Sequence, residues 1–394
     1  MVPKGWTLGT LKDLADTIMG YAFRSEDFVP TGIPLLRMGN LYQNTLDLNR
    51  NPVYLPDSFK FDYKRFLVSP GDLVMSMTGT MGKRDYGFTV EIPSNTQYSL
   101  LNQRVLKIVP KNNASSGYIL NLLRSELILS VLYSFPGGTK QANLSAKQLQ
   151  EIPVLIPPEL EQKKIAQILS TWDKAISVTE KFLANSQQQK KALMQQLLTG
   201  KKRLLDENGV RFRGEWRNST LSMFCNIAKG KALSASDLEV GDFPVIAGGK
   251  SSPYSHSDYT HENVVTVSAS GAYAGYISYH NYKIWASDCS VVSAKADNLI
   301  DYFYQLLLSL QDKIYSLQSG GAQPHIYPKD LNSIPLWVPC VKEQQKIATV
   351  LSAADDEIAT LEKKLACLRD EKKALMQQLL TGKRRVKIDE AVAA

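Results

Sequence analysis

Lys190-Lys191-Ala192-Leu193-Met194-Gln195-Gln196-Leu197-Leu198-Thr199-Gly200-Lys201 recurs letter for letter at Lys372 to Lys383, an offset of 372 − 190 = 182. Twelve identical residues in a chain of 394 do not arise from composition. Internal repetition takes precedence over any local reading, and here it makes the chain a tandem duplication. The same offset relates Glu161-Gln162-Lys163-Lys164-Ile165-Ala166 to Glu343-Gln344-Gln345-Lys346-Ile347-Ala348. Leu149, Ile152, Pro153 and Pro157 likewise match Leu331, Ile334, Pro335 and Pro339. Upstream, Trp6, Thr10, Leu11 and Gly20 match Trp216, Thr220, Leu221 and Gly230 at an offset of 210, so the second unit is shorter by 210 − 182 = 28 residues. Each unit is a variable globular block followed by a helical block of fixed length.

From Glu161 to about Leu198 there is no Gly or Pro. Ile165, Trp172, Thr179, Ser186 and Leu193 fall seven apart, as do Leu169, Ile176, Leu183, Lys190 and Leu197. The second copy gives Ile347, Ala354, Leu361, Leu368 and Leu375 beside Leu351, Ile358, Leu365, Lys372 and Leu379. Five heptads in each copy predict a coiled coil, with each helix about 57 Å long at 1.5 Å per residue. The outward residues Gln187 to Lys191, Lys363, Lys364 and Lys372 read as solvated faces.

The globular blocks have a different texture. Ile33 to Met38, Leu73 to Met77 and Arg104 to Val109 are short apolar runs punctuated by Gly, Pro, Asn and Asp, which predicts strands with turns. A short amphipathic helix is expected around Leu8, Leu11, Leu14 and Ile18, and others over Gly117 to Tyr133 and near Asp301 to Tyr315. The fold class is therefore α+β: two mixed α/β blocks separated by two long antiparallel coiled-coil helices, a pseudo-twofold tandem repeat.

An apolar fraction of 44% and a charged fraction of 21% are ordinary for a globular chain. No run of eighteen apolar residues argues for a membrane span, and the N-terminus lacks the apolar core of a signal peptide. Cys225, Cys289, Cys340 and Cys367 are widely spaced, as expected of reduced thiols in cytoplasm rather than a zinc site. The net charge of +8 favours a polyanionic partner, nucleic acid first.

The repeated helix start (Glu-Gln-x-x-Ile-Ala after a proline-rich exit), the Leu-Leu-Thr-Gly-Lys helix end and the two divergent blocks together resemble the specificity subunit of type I restriction–modification systems, over essentially the whole chain. On that resemblance the chain comprises a first target-recognition domain at 1–158, a first conserved spacer helix at 159–200 and a linker at 201–215. A second target-recognition domain follows at 216–340, a second spacer helix at 341–382 and a basic tail at 383–394. Gly137 to Leu144 resembles the family's exit loop; the second-unit counterpart, Gly320 to Ile326, departs from it. The resemblance implies a subunit that reads a split sequence in double-stranded DNA, one half per block. It also implies two bound methyltransferase (M) subunits that modify an adenine in each half, with S-adenosylmethionine on those subunits and no cofactor here. An ATP-driven motor nuclease, the restriction (R) subunit, can join.

No catalytic constellation competes with this reading. Asn51-Pro52-Val53-Tyr54 lacks the second proline of an adenine-methyltransferase motif and reads as a turn. Gly79-Thr80-Met81-Gly82-Lys83 fails phosphate-loop spacing and reads as a turn whose amides and Lys83 suit a DNA phosphate. No metal-ligand spacing is present either. A self-contained nucleic-acid enzyme and a coiled-coil scaffold remain as alternatives; the first needs a cofactor loop, the second no salt-dependent DNA affinity.

Base edges are read by forked side chains and phosphates by Lys, Arg, Ser, Tyr and backbone amides. Candidates in the first block are Arg37, Asn40, Thr78, Thr80, Lys83, Arg84, Lys140, Gln141 and Asn143. Those in the second are Lys250, Ser268, Ser270, Tyr273, Gln323, His325 and Tyr327. For M-subunit docking the candidates are Gln187, Lys191, Gln195, Gln196, Lys364, Lys373, Gln377 and Gln378, because packing alone does not require the outward glutamines to repeat. If the helices act as a ruler, inserting four residues in one adds roughly 6 Å. The gap between half-sites then lengthens by about one or two base pairs at 3.4 Å each. The check is the methylated motif, whose half-sites stay unchanged.

Overall fold

The computed structural model describes residues 2–135, 141–249 and 254–388. It divides into two compact units, Met1–Thr179 with Lys364–Ala394, and Glu180–Lys363. Each unit thus holds one globular block, the near part of one long helix and the far part of the other. The helices run Glu159–Leu197 and Val341–Leu380.

In the first unit Thr89–Glu91, Leu73–Ser76, Val105–Pro110 and Ala15–Met19 form an antiparallel sheet in that order. A second sheet orders Tyr54–Leu55, Ile33–Leu36, Ser99–Leu101 and Leu67–Val68, with Ile33–Leu36 parallel to Ser99–Leu101. The second unit repeats the plan. Cys225–Lys229, Cys289–Ala294, Val264–Ser268 and Ile277–His280 are antiparallel, and Phe243–Ile246 lies parallel to Trp285–Ala286. In both, the first strand of the block pairs with the strand that leads into the long helix: Thr7–Thr10 with Pro153–Ile156, and Arg217–Thr220 with Pro335–Val338.

Three expected helices differ from the sequence reading. The segment around Leu8 to Ile18 is helical only over Leu11–Leu14, between two strands. Its apolar residues at Leu11 and Leu14 are core, while Leu8 is 67% exposed. The span 117–133 is two helices, Ser116–Arg124 and Glu126–Ser134, because Ser125 is extended and its hydroxyl donates to Leu122 O. The span 301–315 is likewise two, Ile300–Ser309 and Gln311–Tyr315.

Within each unit the two helix segments run antiparallel. In the first, Glu161 meets Arg385 and Asp173 meets Lys372; in the second, Glu343 meets Arg203 and Asp355 meets Lys190. Every heptad residue named above is buried or half-buried. Lys190 and Lys372, read as solvated, instead lie on the seam and place their ammonium groups 2.5 Å from Asp355 and Asp173. A lysine stem can cover apolar surface while its charge finds a carboxylate, which explains why the seam tolerates it.

The repeated helix ends have a structural cause. Gly200 and Gly382 take left-handed conformations, φ +70 and +67, that only glycine adopts freely. The chain turns back there, with Lys202 and Arg384 amides donating to Gln196 and Gln378 carbonyls. That reversal delivers Arg203 onto Glu343 and Arg385 onto Glu161, each as a two-nitrogen fork on a carboxylate about 1% exposed as a residue. Within the described part of the basic tail, 383–388, Arg385 also donates to Lys4 O and lies over the Trp6 ring. The adjoining glutamines are committed too. Gln162 donates to Pro157 O and accepts from the Ser115 amide; Gln344 donates to Pro339 O and accepts from the Leu299 amide. Glu-Gln at each helix start fastens the helix to its own block.

Candidate nucleic-acid interface

In the first block Thr78–Thr80 pairs antiparallel with Gln141–Asn143, so two loops more than sixty residues apart form one ribbon. The strand pleat puts Ala142 inward and leaves Gln141, Asn143 and Thr80 exposed. At the tip, the Lys83 amide donates to Thr80 O and Gly82 has φ +75, the turn expected there. Lys83 and Arg84 are exposed; Arg84 pairs with Glu126 at 3.0 Å and lies over Tyr133. Asp85 accepts from the Thr80 amide at 2.7 Å. Burial works against its ionisation, but the hydrogen bonds from Thr80 prevail and hold the carboxyl below its usual range.

The second block places its candidates in the same way. Ser270 bridges to His325, the Gly271 amide donates to Pro324 O, and Ile326 N to Ala269 O. Gln323, Tyr327 and Tyr273 are exposed beside them, and the His325 and Tyr327 rings stack at 6.1 Å. Lys140 and Lys250 lie outside the described residues.

Four candidates do not project as expected. Asn40 is 3% exposed, and its amide is spent on the Asp47 and Arg50 carbonyls and the Arg37 amide. Thr78 is 7% exposed with its hydroxyl against Met38 sulfur, and Ser268 lies in a strand buried at every residue. Arg37 is half-buried with its guanidinium donating to Asn51 O. Asn51 itself bends the chain with φ 50, and Tyr54, read with it as a turn, begins the strand Tyr54–Leu55.

A cleft of about 560 Å³ adjoins the first ribbon, lined by Arg37, Tyr42, Arg50, Asn102, Gln103 and Arg104. Sequence reasoning singled out only Arg37 of these. Arg50 lies in a loop shaped by Asn40, and Arg104 in a two-residue turn between Ser99–Leu101 and Val105–Pro110. Their only signal in sequence was an arginine beside a strand end.

All eight proposed docking residues on the helices are exposed. Around them each unit builds an equivalent cleft. One, about 320 Å³, is lined by Lys373, Met376 and Gln377 with the Arg124–Leu127 corner; the other, about 360 Å³, by Lys191, Met194 and Gln195 with the Leu306–Asp312 corner. Among the described residues no cluster of His, Cys, Asp or Glu is arranged to hold a metal ion, and no helix is long and apolar enough to cross a membrane.

A block that occurs twice, each time with an exposed polar ribbon and an antiparallel helix pair, defines a protein of two like recognition units. The model of the type I restriction modification DNA specificity domain matches residues 3–185 and again 213–368, so the chain belongs to that family and is a DNA-sequence-recognition subunit of the type I restriction–modification class. It is 25% identical to a putative type I restriction enzyme MjaX specificity subunit of Methanocaldococcus jannaschii, over 98% of this chain and 95% of that protein. It is 26% identical to the EcoAI specificity subunit of Escherichia coli over 46% of this chain and 30% of that one. Its fold is similar to the crystal structure of the type I S subunit from M. genitalium, with a TM-score of 0.69 at 17% identity over 98% and 97% of the two chains. Two tandem specificity domains fit a target in two parts.

Proposed function

We propose that each block reads one half of a bipartite duplex target through its ribbon, and that two adenine-N6 methyltransferase subunits dock on the long helices at the two equivalent clefts. In this reading S-adenosylmethionine stays with those subunits. The chain supplies no reacting group, a motor nuclease subunit can join, and the assembly works in the cytoplasm. The observation that carries the proposal is convergence. In both blocks, polar residues from loops far apart in sequence meet on one exposed ribbon, while the side chains of the repeated outward glutamines make no hydrogen bond among the described residues that explains their identity. Gln195 and Gln196, and Gln377 and Gln378, are exposed and repeated together.

The test is methylome sequencing of a strain lacking type I systems that expresses this chain with its candidate methyltransferase subunit. A new motif with N6-methyladenine in two halves and a fixed gap is expected. No new motif, with both subunits expressed and associated, would return the chain to a scaffold role.

A further inference from the structure

Backbone pairing aligns the strands of the two blocks, although the link before Val105 and Cys289 is one residue shorter in the second, 287–288 against 102–104. Val105 pairs with Ser76 as Cys289 pairs with Ser268. One residue earlier, the Met77 amide donates to Arg104 O as the Ala269 amide donates to Asp288 O. Arg104 and Asp288 thus stand at the same backbone position, beside the Thr78–Asn143 and Ser270–His325 steps of the two ribbons. One carries a cation and the other an anion.

We propose that this position reads a base edge in each half-site: a guanine, forked by Arg104 with Arg50 across the cleft, in the first, and a base presenting an exocyclic amine to Asp288 in the second. The inference rests on the reading that the blocks contact duplex DNA. A phosphate contact does not account for the pair, because a carboxylate at the equivalent place would be repelled by the backbone, whereas the base edges present both acceptors and amine donors. Arg50 and Arg104 are exposed, and neither makes an ion pair among the described residues. Arg104 is held by a turn fixed at both ends, with Asn102 N donating to Leu36 O and Val105 N to Asn102 O. Arg50 lies 5.5 Å from the Tyr42 ring. Arg37 is excluded from reading because it is half-buried, one guanidinium nitrogen donates to Asn51 O and its Nε is buried. Asp85, the acid lining the same cleft, is taken up by Thr80. Asp288 accepts from the Ser270 hydroxyl and keeps lone pairs for a second donor.

The test uses the full chain with its methyltransferase subunit. Motifs are sequenced for wild type, Arg104→Ala, Arg104→Gln, Arg50→Ala and Asp288→Asn, and affinity is titrated against salt on duplexes varied at each position. For Arg104→Ala the expected result is a motif relaxed at one guanine of the first half, with the second half and gap unchanged. Affinity for the cognate duplex falls roughly 10- to 100-fold, while duplexes already lacking that guanine change little. Asp288→Asn relaxes one position of the second half only. A uniform loss on all duplexes with a shallower salt slope makes Arg104 a phosphate contact and overturns the proposal, as does an unchanged motif. A wild-type complex that yields no bipartite motif removes the DNA reading itself. The exposure of Arg104 keeps folding out of the comparison, checked by unchanged melting.

Discussion

Arg203→Ala costs the second unit about 3–5 kcal/mol, the range for removing one member of a buried ion pair. Glu343 is 1% exposed, and Arg203 supplies both of its hydrogen bonds, at 2.5 and 2.6 Å. Without that fork a carboxylate stays in a low-dielectric site with no donor, since Trp216 Nε1 is buried without a partner rather than turned to it. The equivalent Arg385→Ala is the informative contrast. There Trp6 Nε1 still donates to Glu161 at 2.9 Å, and the Arg385 side chain is 43% exposed against 21% for Arg203. The loss in the first unit is therefore smaller. Pairing Arg203→Met with Glu343→Leu recovers most of the stability, because two apolar groups of similar size avoid the desolvation that the lone acid suffers. Denaturant unfolding read by hydrogen exchange at each helix start measures both. Equal, small losses at the two sites would sink this account.

Those clamps mark the limit of what the sequence showed. The 182-residue offset, the absence of Gly and Pro over the helices and the heptad columns made both helices legible, since periodicity is written in every turn. The strand texture of the blocks was legible for the same reason. Arg203 and Arg385 read as linker and tail because a helix-terminating glycine announces that the chain turns, not what it turns toward. The seam lysines looked solvated because charge on a helix usually is; the aspartates that receive them lie on the other helix, at a distance in sequence no local pattern reports. Ser125 and Leu310 split helices that apolar periodicity alone would continue. At the interface, Thr80, Lys83, Gln141 and Asn143 were singled out from glycine-rich loops, and the ribbon that pairs Thr78–Thr80 with Gln141–Asn143 was not legible. Asn40 was misread because an amide beside a strand end looks the same whether it faces DNA or folds back on its own loop. Arg50 and Arg104 drew no notice because no local pattern marks them: they are far apart in sequence yet line one cleft, and Arg104 stands where the other block has Asp288.

A chain cut after Lys363 should lose structure at its beginning. Residues 364–388 belong to the first unit: Met376, Leu379 and Leu380, at 9%, 2% and 2% exposure, share a core with Leu11, Leu14, Tyr118, Ile165 and Leu169. Exposing three such side chains costs about 1.5–3 kcal/mol each, and Glu161 also loses Arg385. The sum, on the order of 5–10 kcal/mol, rivals the whole stability of an ordinary domain. Hydrogen exchange is expected to rise across Leu11–Met19, Val105–Pro110 and Ser116–Arg124, all in the N-terminal third, while the strands Cys289–Ala294 and Val264–Ser268 stay protected. The second unit needs nothing beyond Lys363, because its own helix pair is made of Glu180–Leu197 and the near part of Val341–Leu380. Adding a peptide of residues 364–388 restores the N-terminal protection in proportion to its concentration, since ligation to the native state alone is stabilising. Unchanged exchange over Leu11–Met19 after truncation would mean that the first block closes its core without the second helix. The repeat would then be two self-sufficient halves rather than two units, each completed by the other half's helix.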